Sequence, residues 1–174
     1  ENSTVLVVVD DSFSMGIKDR FEDPEVTAST HSMAGLGPSA APTRLQIAQG
    51  ILDGGNAQLI NRLREKADVK ILAGSDGVRA VAELPRFSED TDLTNPVAGS
   101  ELSPIELRGR VSRLGDAMSD AVDSARNNNV AALVLLSDGQ ESGGVSTSLE
   151  VSRRLGLREI PVHVIGVGNP AEPR

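Results

Sequence analysis

Near the start of the chain, the apolar run Val5-Leu6-Val7-Val8-Val9 passes directly into Asp10-Asp11-Ser12-Phe13-Ser14. An uninterrupted aliphatic run of this kind predicts a strand buried on both faces, as in a parallel sheet. Parallel sheets place their ligand sites just beyond the carboxyl ends of their strands. The oxygens of Asp10, Ser12 and Ser14 are hard donors that suit Mg²⁺, Mn²⁺ or Ca²⁺. The sequence therefore predicts a divalent-metal site at the end of the first strand.

The composition argues against several classes of function. The chain has 174 residues and a net charge of −8, with 25 acidic residues against 17 basic ones. This acidic excess argues against nucleic acid as a partner and against direct contact of the domain with an anionic membrane. The chain contains no Cys, Trp or Tyr. Thiolate metal sites and thiol catalysis are thereby excluded, and so are Trp and Tyr stacking platforms for single-stranded nucleic acid.

Strand and helix patterns alternate along the chain, which predicts a single α/β domain over residues 1–174. The chain begins with Glu1 rather than Met, so we expect it to be a domain excised from a larger protein. The segment Asp53-Gly54-Gly55-Asn56 is expected to end the amphipathic helix that begins after Thr43, and a second helix is expected to follow it. Helices are expected over residues 44–52, about 57–66, 114–126 and 147–155. Strands are expected near residues 4–9, 69–73, 78–84, 130–136 and 161–167, with 78–84 as the antiparallel edge strand.

Two long polar segments, residues 16–42 and 85–110, interrupt this alternation. Both are rich in Gly, Pro, Ser, Thr and charged residues, so both are predicted to be long loops. Each precedes a helix, and we therefore expect both to lie at the carboxyl edge of the sheet, around Asp10–Ser14. Ser112 and Asp138 are expected at the same edge. Ser112 lies where a loop passes into a predicted helix, and Asp138 follows the predicted strand 130–136.

Four segments together resemble the von Willebrand factor A family. Val-Asp-Asp-Ser-Phe-Ser-Met at residues 9–15 resembles the Asp-x-Ser-x-Ser-Met variant of the family's first motif. Ser-Arg-Leu-Gly-Asp-Ala at 112–117 resembles its Thr-x-Ile/Leu-Gly-x-Ala segment, and Leu-Leu-Ser-Asp-Gly at 135–139 resembles its Leu-Thr-Asp-Gly segment. Residues 160–168 resemble its late strand. The resemblance covers about residues 4–168 in the family's order, apart from the two long polar segments.

The resemblance implies a fold, a site and a function. The fold would be a Rossmann-like, doubly wound α/β domain whose mostly parallel sheet has the order third, second, first, fourth, fifth strand. The site would be a metal-ion-dependent adhesion site formed by Asp10, Ser12, Ser14, Ser112 and Asp138, acting directly or through water. The metal in that family is often Mg²⁺, with one position open to an acidic residue of a protein partner. The implied function is metal-dependent protein binding without enzymatic activity.

The chain departs from the family's pattern at three positions. Ser112 replaces the usual Thr, Phe13 stands where Gly is common, and Asp11 adds a third carboxylate. None of these changes removes a ligand oxygen. The ending Met15-Gly16 resembles bacterial, often membrane-associated, members of the family. A final strand and helix of the usual fold are expected to be missing.

Two other functions stay open on the sequence alone. Arg113, Lys18 or Arg20 could neutralise Asp10 or Asp138, which would make this a structural or interaction domain with a degenerate, metal-free site. A Mg²⁺-dependent phosphotransfer or hydrolase domain is a remote alternative. The pair Asp10-Asp11 resembles the acidic pair of receiver domains, but the third Asp and the late Lys of such domains have no counterpart here, and no Gly-x-Ser-x-Gly elbow is present.

Overall fold

Five strands form one sheet in the order β3-β2-β1-β4-β5. The computed structural model describes residues 3–37, 40–87, 102–125 and 129–169. β1 is parallel to both β2 and β4, β4 is parallel to β5, and β2 pairs antiparallel with β3. The predicted strand order and the antiparallel edge strand are thereby confirmed. The strands are β1 (Ser3–Val9), β2 (Asp68–Gly74), β3 (Val78–Leu84), β4 (Asn129–Ser137) and β5 (Val162–Gly166).

Helices cover both faces of the sheet and give it two cores. Along β1, Val5, Val7 and Val9 face the core that α2 closes, while Leu6 and Val8 face the core beneath α3 and α4. This alternation follows from the two-residue period of a strand, and it buries β1 on both faces as predicted. None of the described helices is long and apolar enough to cross a membrane. The helices are α1 (Pro24–Met33), α2 (Arg44–Arg64), α3 (Leu114–Ser124) and α4 (Ser148–Gly156).

The prediction that residues 16–42 form a long loop is wrong, because this segment contains α1. Asp23 caps the helix by accepting a hydrogen bond from the Glu25 N–H at 2.8 Å, and Pro24 occupies the first helical position. Both residues are typical helix-start signals. The C-terminal end of α1 lies against α2 at Gly50, where a Cβ atom would be only 2.0 Å from the Met33 carbonyl oxygen.

The predicted helix break at Asp53–Asn56 is also wrong, because α2 continues through it. The segment leaves one irregularity, a φ of 57° at Ala57. Leu52, Ala57 and Ile60, which flank or follow the segment, are all buried in the same core. Each glycine destabilises a helix by about 1 kcal/mol because of its poor helix propensity. The burial of the apolar residues on both sides of the glycines outweighs this cost, so the helix continues.

The second polar segment crosses the carboxyl edge of the sheet, as predicted, where the structure describes it. Residues 88–101 lie outside the described residues, so the loop prediction stays open there. The N–H groups of Arg108 and Gly109 donate to the Asp11 carbonyl oxygen, and the Phe13 N–H donates to the Gly109 carbonyl oxygen. These backbone hydrogen bonds hold the segment directly over the end of β1.

Candidate metal centre

Asp10 lies fully buried at the end of β1 and is held on both carboxylate oxygens. The Ser12 N–H donates to Oδ1 at 2.9 Å, and the Ser137 hydroxyl donates to Oδ2 at 2.8 Å. Ser137 reaches Asp10 because β4 is the parallel neighbour of β1. Each carboxylate oxygen keeps a second lone pair, so Asp10 can still accept from a metal-bound water or contact a cation.

Three serines, Ser12, Ser14 and Ser112, line one cavity beside Asp10. A 3₁₀ turn over residues 13–16 brings the hydroxyl oxygens of Ser12 and Ser14 to within 3.0 Å of each other. The Ser112 hydroxyl is buried and has no hydrogen-bond partner among the described residues. Burying a hydroxyl without a partner costs about 1–3 kcal/mol, so such a group calls for an explanation. The cavity measures about 500 Å³, and Phe13 and Arg110 also line it.

Backbone contacts from two directions place Ser112 in this cavity. Its N–H donates to the Ser142 hydroxyl at 3.1 Å, and the Ser142 N–H donates to its carbonyl oxygen at 2.9 Å. One residue later, the Arg113 N–H donates to the Ser75 carbonyl oxygen. The loop after β2 and the loop after β4 therefore fix Ser112 together, which explains why a residue so far along the chain meets the first strand.

Asp138 sits beside Asp10 but is already paired with an arginine. The Nη1 group of Arg44 donates to its Oδ2 at 2.8 Å, and the Gln140 N–H donates to its Oδ1 at 2.9 Å. The sequence interpretation allowed for a side-chain cation that neutralises Asp10 or Asp138, with Arg113, Lys18 and Arg20 as the candidates. The cation is Arg44 instead, the first residue of α2, while Arg113 pairs with Asp76 at 3.0 Å.

Arg44 and its second partner, Asp19, are functional candidates that the sequence interpretation missed. Both are buried, and the Nε and Nη2 groups of Arg44 donate to Asp19 at 2.8 and 2.7 Å. One signal was available: Arg44 directly follows the N-cap Thr43. A cation at the positive end of a helix dipole is unfavourable unless carboxylates surround it.

The buried charges of this cluster leave a negative excess. The guanidinium of Arg44 contacts Asp19 and Asp138, and the buried Asp10 lies near Asp138, so three carboxylates and one cation leave two net negative charges when all are ionised. Burial raises the pKa of Asp10, and the nearby charge of Asp138 raises it further, although hydrogen bonds from Ser12 and Ser137 oppose the shift. Hydrogen bonds from Arg44 to Asp19, and then to Asp138, raise the pKa of the guanidinium, so it stays charged. A divalent cation would balance this excess.

Asp11 does not extend the candidate ligand set. It is buried on the other side of the β1 end, where the Ser75 hydroxyl donates to it at 2.6 Å. Arg79 lies 3.5 Å from its second oxygen. These contacts neutralise Asp11 and connect the ends of β1 and β3.

Two further carboxylates near the site brace the loop that follows β4. Glu141 accepts hydrogen bonds from the N–H groups of Gly115 and Ser148, at the N-termini of α3 and α4. Asp116 accepts from the N–H groups of Val145 and Ser146. Glu141 also lines the cavity, but these hydrogen bonds occupy both carboxylates with backbone N–H groups, so Glu141 and Asp116 support the loop carrying Asp138.

The structure thus brings Ser12, Ser14 and Ser112 together around one cavity, with Asp10 buried behind Ser12 and Asp138 near Asp10 in an ion pair. Across the described ranges, no three His, Cys, Asp or Glu residues group in a way that could hold a metal ion. That finding agrees with a site in which hydroxyl groups would supply most of the ligands, because such a site contains only two carboxylates.

Neither a family model nor a curated protein matches the chain, but solved structures do. Manganese-loaded TRAP protein from Plasmodium vivax matches with a TM-score of 0.54 and 17% identity, over 100% of this chain and 66% of that one. Mussel byssus proximal thread matrix protein 1, with a zinc-occupied MIDAS motif, gives 0.53 and 15%, over 97% and 38%. BatB from Bacteroides thetaiotaomicron gives 0.51 and 20%, over 97% and 68%. This chain therefore spans only part of each matched protein, and at these identities the likeness concerns the fold.

Proposed function

Because the chain has the fold of von Willebrand factor A domains, we propose that it is a protein-binding module whose binding depends on a divalent cation. One observation carries the proposal: the Ser112 hydroxyl is buried without a described partner, and Ser112 lines the same cavity as Ser12 and Ser14. A bound cation would give that oxygen the partner it lacks. Manganese in the Plasmodium relative and zinc in the mussel relative support a divalent ion in this fold.

The proposed ligands are Asp10, Ser12, Ser14, Ser112 and Asp138, directly or through water. Carboxylate and hydroxyl oxygens favour Mg²⁺, Mn²⁺ or Ca²⁺ over softer metals. The three hydroxyl ligands carry no charge, and Asp138 shares its charge with Arg44, so a bound cation would keep an affinity for a further oxygen ligand. When bound, the ion would supply a coordination position for that oxygen. The role proposed is binding, without a catalytic step.

The proposed partner is a protein that offers an acidic residue to the cation. Arg110 is exposed at the cavity and forms no ion pair with any residue in the part of the chain that the structure describes. Phe13, at the same cavity, is 54% exposed. A segment carrying a carboxylate for the metal, a second carboxylate for Arg110 and an apolar side chain for Phe13 would match all three groups.

A thermal-unfolding titration tests the metal site directly. Mg²⁺, Mn²⁺ or Ca²⁺ should raise the unfolding temperature relative to EDTA, because a ligand at 100 times its Kd stabilises the folded state by about 2.7 kcal/mol. The variant Ser112→Ala should lose this rise while keeping its stability in EDTA, since it removes a hydroxyl without a described partner. An extrinsic dye is needed because Trp and Tyr are absent.

Ser119→Ala is the matched control for that titration. Ser119 lies on α3, where its hydroxyl donates to the Gly115 carbonyl oxygen within the helix. This variant should respond to metal as the unchanged protein does. Equal unfolding temperatures in EDTA and in all three cations would contradict the proposed metal site.

The ion pair between Arg44 and Asp138 favours a second candidate function. With Arg44 as the permanent counter-charge, the domain would bind its partner through the surrounding loops without metal. Partner binding would then survive EDTA, whereas the proposed metal-dependent module would lose its partner on chelation.

A further inference from the structure

We propose that Arg44 is a positioning residue that competes with the divalent cation for Asp138 and thereby sets the metal affinity of the site. This inference rests on the proposed metal site and goes beyond it. Arg44 would serve as the counter-charge of Asp138 when no metal is present, and it would oppose the cation when metal enters.

The contacts of Arg44 are unequal, which makes the competition possible. Its Nε and Nη2 groups hold both oxygens of Asp19, at 2.8 and 2.7 Å, in the strong two-pronged geometry of arginine and carboxylate. From Arg44, Asp138 receives only the single hydrogen bond from Nη1, at 2.8 Å, while the Gln140 N–H donates to its other oxygen. Asp138 can therefore turn towards a cation while Arg44 stays paired with Asp19.

The surroundings keep the guanidinium from leaving the site. The Arg44 N–H donates to the Ile17 carbonyl oxygen, and Asp19 also accepts from the Asn169 N–H at 3.0 Å. Gly168 closes over the pair, since a Cβ there would lie 2.8 Å from the Arg44 Nε atom. Arg44 is only 6% exposed, so its charge is poorly screened by solvent.

Electrostatics predicts opposite effects for the loss of Arg44 and the loss of Asp19. A unit charge a few ångströms from a divalent ion changes its binding by about tenfold, even at a water-like dielectric constant. Without Arg44, the buried carboxylates would lack their counter-charge in EDTA, and a cation would be drawn in more strongly. Without the charge of Asp19, the net negative charge would fall, and Arg44 would be free to pair fully with Asp138.

The experiment measures Mn²⁺ affinity by calorimetric titration, together with the unfolding temperature in EDTA. Arg44→Met keeps the aliphatic length and removes the charge. It should bind Mn²⁺ about tenfold more tightly, unfold at a lower temperature in EDTA and show a larger rise with metal. Asp19→Asn should bind Mn²⁺ about tenfold more weakly, and it preserves the test should Arg44→Met fail to fold.

Two controls separate charge competition from general damage to the structure. Arg44→Lys keeps the charge but loses the two-pronged contact, so its stability in EDTA should fall, and any gain in Mn²⁺ affinity should stay well below that of Arg44→Met. Arg158→Met removes an exposed charge just beyond α4 and should leave the affinity within about twofold of the original.

The outcomes also separate this inference from the proposed function. Tighter Mn²⁺ binding by Arg44→Met, together with weaker binding by Asp19→Asn, supports the competition. Detectable Mn²⁺ binding by Arg44→Met, with none by the unchanged protein, also supports it. Binding by the unchanged protein that is not tightened in Arg44→Met, or not weakened in Asp19→Asn, overturns the inference and leaves the metal site intact. If neither the unchanged protein nor Arg44→Met binds Mn²⁺, both proposals fail.

Discussion

Asp10 places a carboxylate where the interior tolerates negative charge poorly. Burial raises its pKa above the ordinary value of 3.8, and the two serine contacts offset that shift only in part. A raised pKa in the folded state means that ionised Asp10 lowers stability. This penalty appears as the pH rises from about 3.8 through the raised pKa, and it persists at higher pH.

We expect Asp10→Asn to abolish the metal response without destabilising the metal-free protein. Asparagine keeps the shape and an oxygen that can accept from Ser12, but it removes the charge that a cation needs. In EDTA at pH 7 the variant should be at least as stable as the unchanged protein, and its advantage should shrink towards pH 4. Urea unfolding at the two pH values checks this. Retained stabilisation by Mg²⁺ would refute the role of Asp10.

Gly168→Ala should destabilise the protein by about 1–3 kcal/mol, because glycine is required there for two reasons. Its φ of 123° is unfavourable for other residues, and an added Cβ would contact Arg44 Nε at 2.8 Å and Asp19 Oδ2 at 3.0 Å. Gly166→Ala is the control, since its Cβ would meet no described atom within 4 Å. Chemical denaturation of both variants makes the comparison. Equal stabilities would mean that the close approach at Gly168 does not matter.

Among the elements, α2 has the clearest connection to the site. Thr43 caps it in a capping box with Gln46, and Arg44 is the first residue of the helix. The cap therefore fixes both the start of the helix and the position of the guanidinium. Thr147 forms the same box with Glu150 at α4, which carries no proposed ligand.

Replacing the two capping threonines should separate helix stability from metal affinity. Thr43→Ala and Thr147→Ala should each cost about 1 kcal/mol, because each exposes an N–H at a helix start. Only Thr43→Ala should also tighten Mn²⁺ binding, since loosening the first turn of α2 weakens the hold of Arg44 on Asp138. Denaturant unfolding and calorimetry give the two quantities. A shift in affinity for Thr147→Ala of the same size would show that the effect is not specific to α2.

On the scale of the whole molecule, the sheet lies between two apolar cores of comparable importance. Leu136 and Leu133, both on β4, are fully buried and face opposite cores. We expect Leu136→Ala and Leu133→Ala each to destabilise the protein by about 2–5 kcal/mol. Leu157→Ala, at a side chain that is 89% exposed, should change stability by less than about 0.5 kcal/mol. Urea unfolding of the three variants would contradict this account if one β4 leucine proved as tolerant as Leu157.

Much of the fold could be predicted from local pattern. The aliphatic runs at β1 and β4 identify buried strands, because few other local structures accommodate so many consecutive apolar side chains. The strand order and the ligand set came from the family resemblance. The order is confirmed, while the ligand set stays a prediction. The helix α1 was missed although Asp23 and Pro24 are start signals, because the polar composition of the segment outweighed them in the interpretation.

The amino-acid sequence by itself predicted the strands, the hydroxyl-rich turn after β1 and the approach of Ser112 to that turn. These features follow from short-range periodicity and from the geometry of a parallel sheet. The continuity of α2 and the ion pair between Arg44 and Asp138 were settled only by packing. Residues 94 positions apart meet there because α2 lies against the sheet beside the end of β4. Burial keeps the glycines of α2 helical and determines which arginine pairs with Asp138. Both outcomes depend on contacts with residues that are distant in sequence, so local pattern does not predict them.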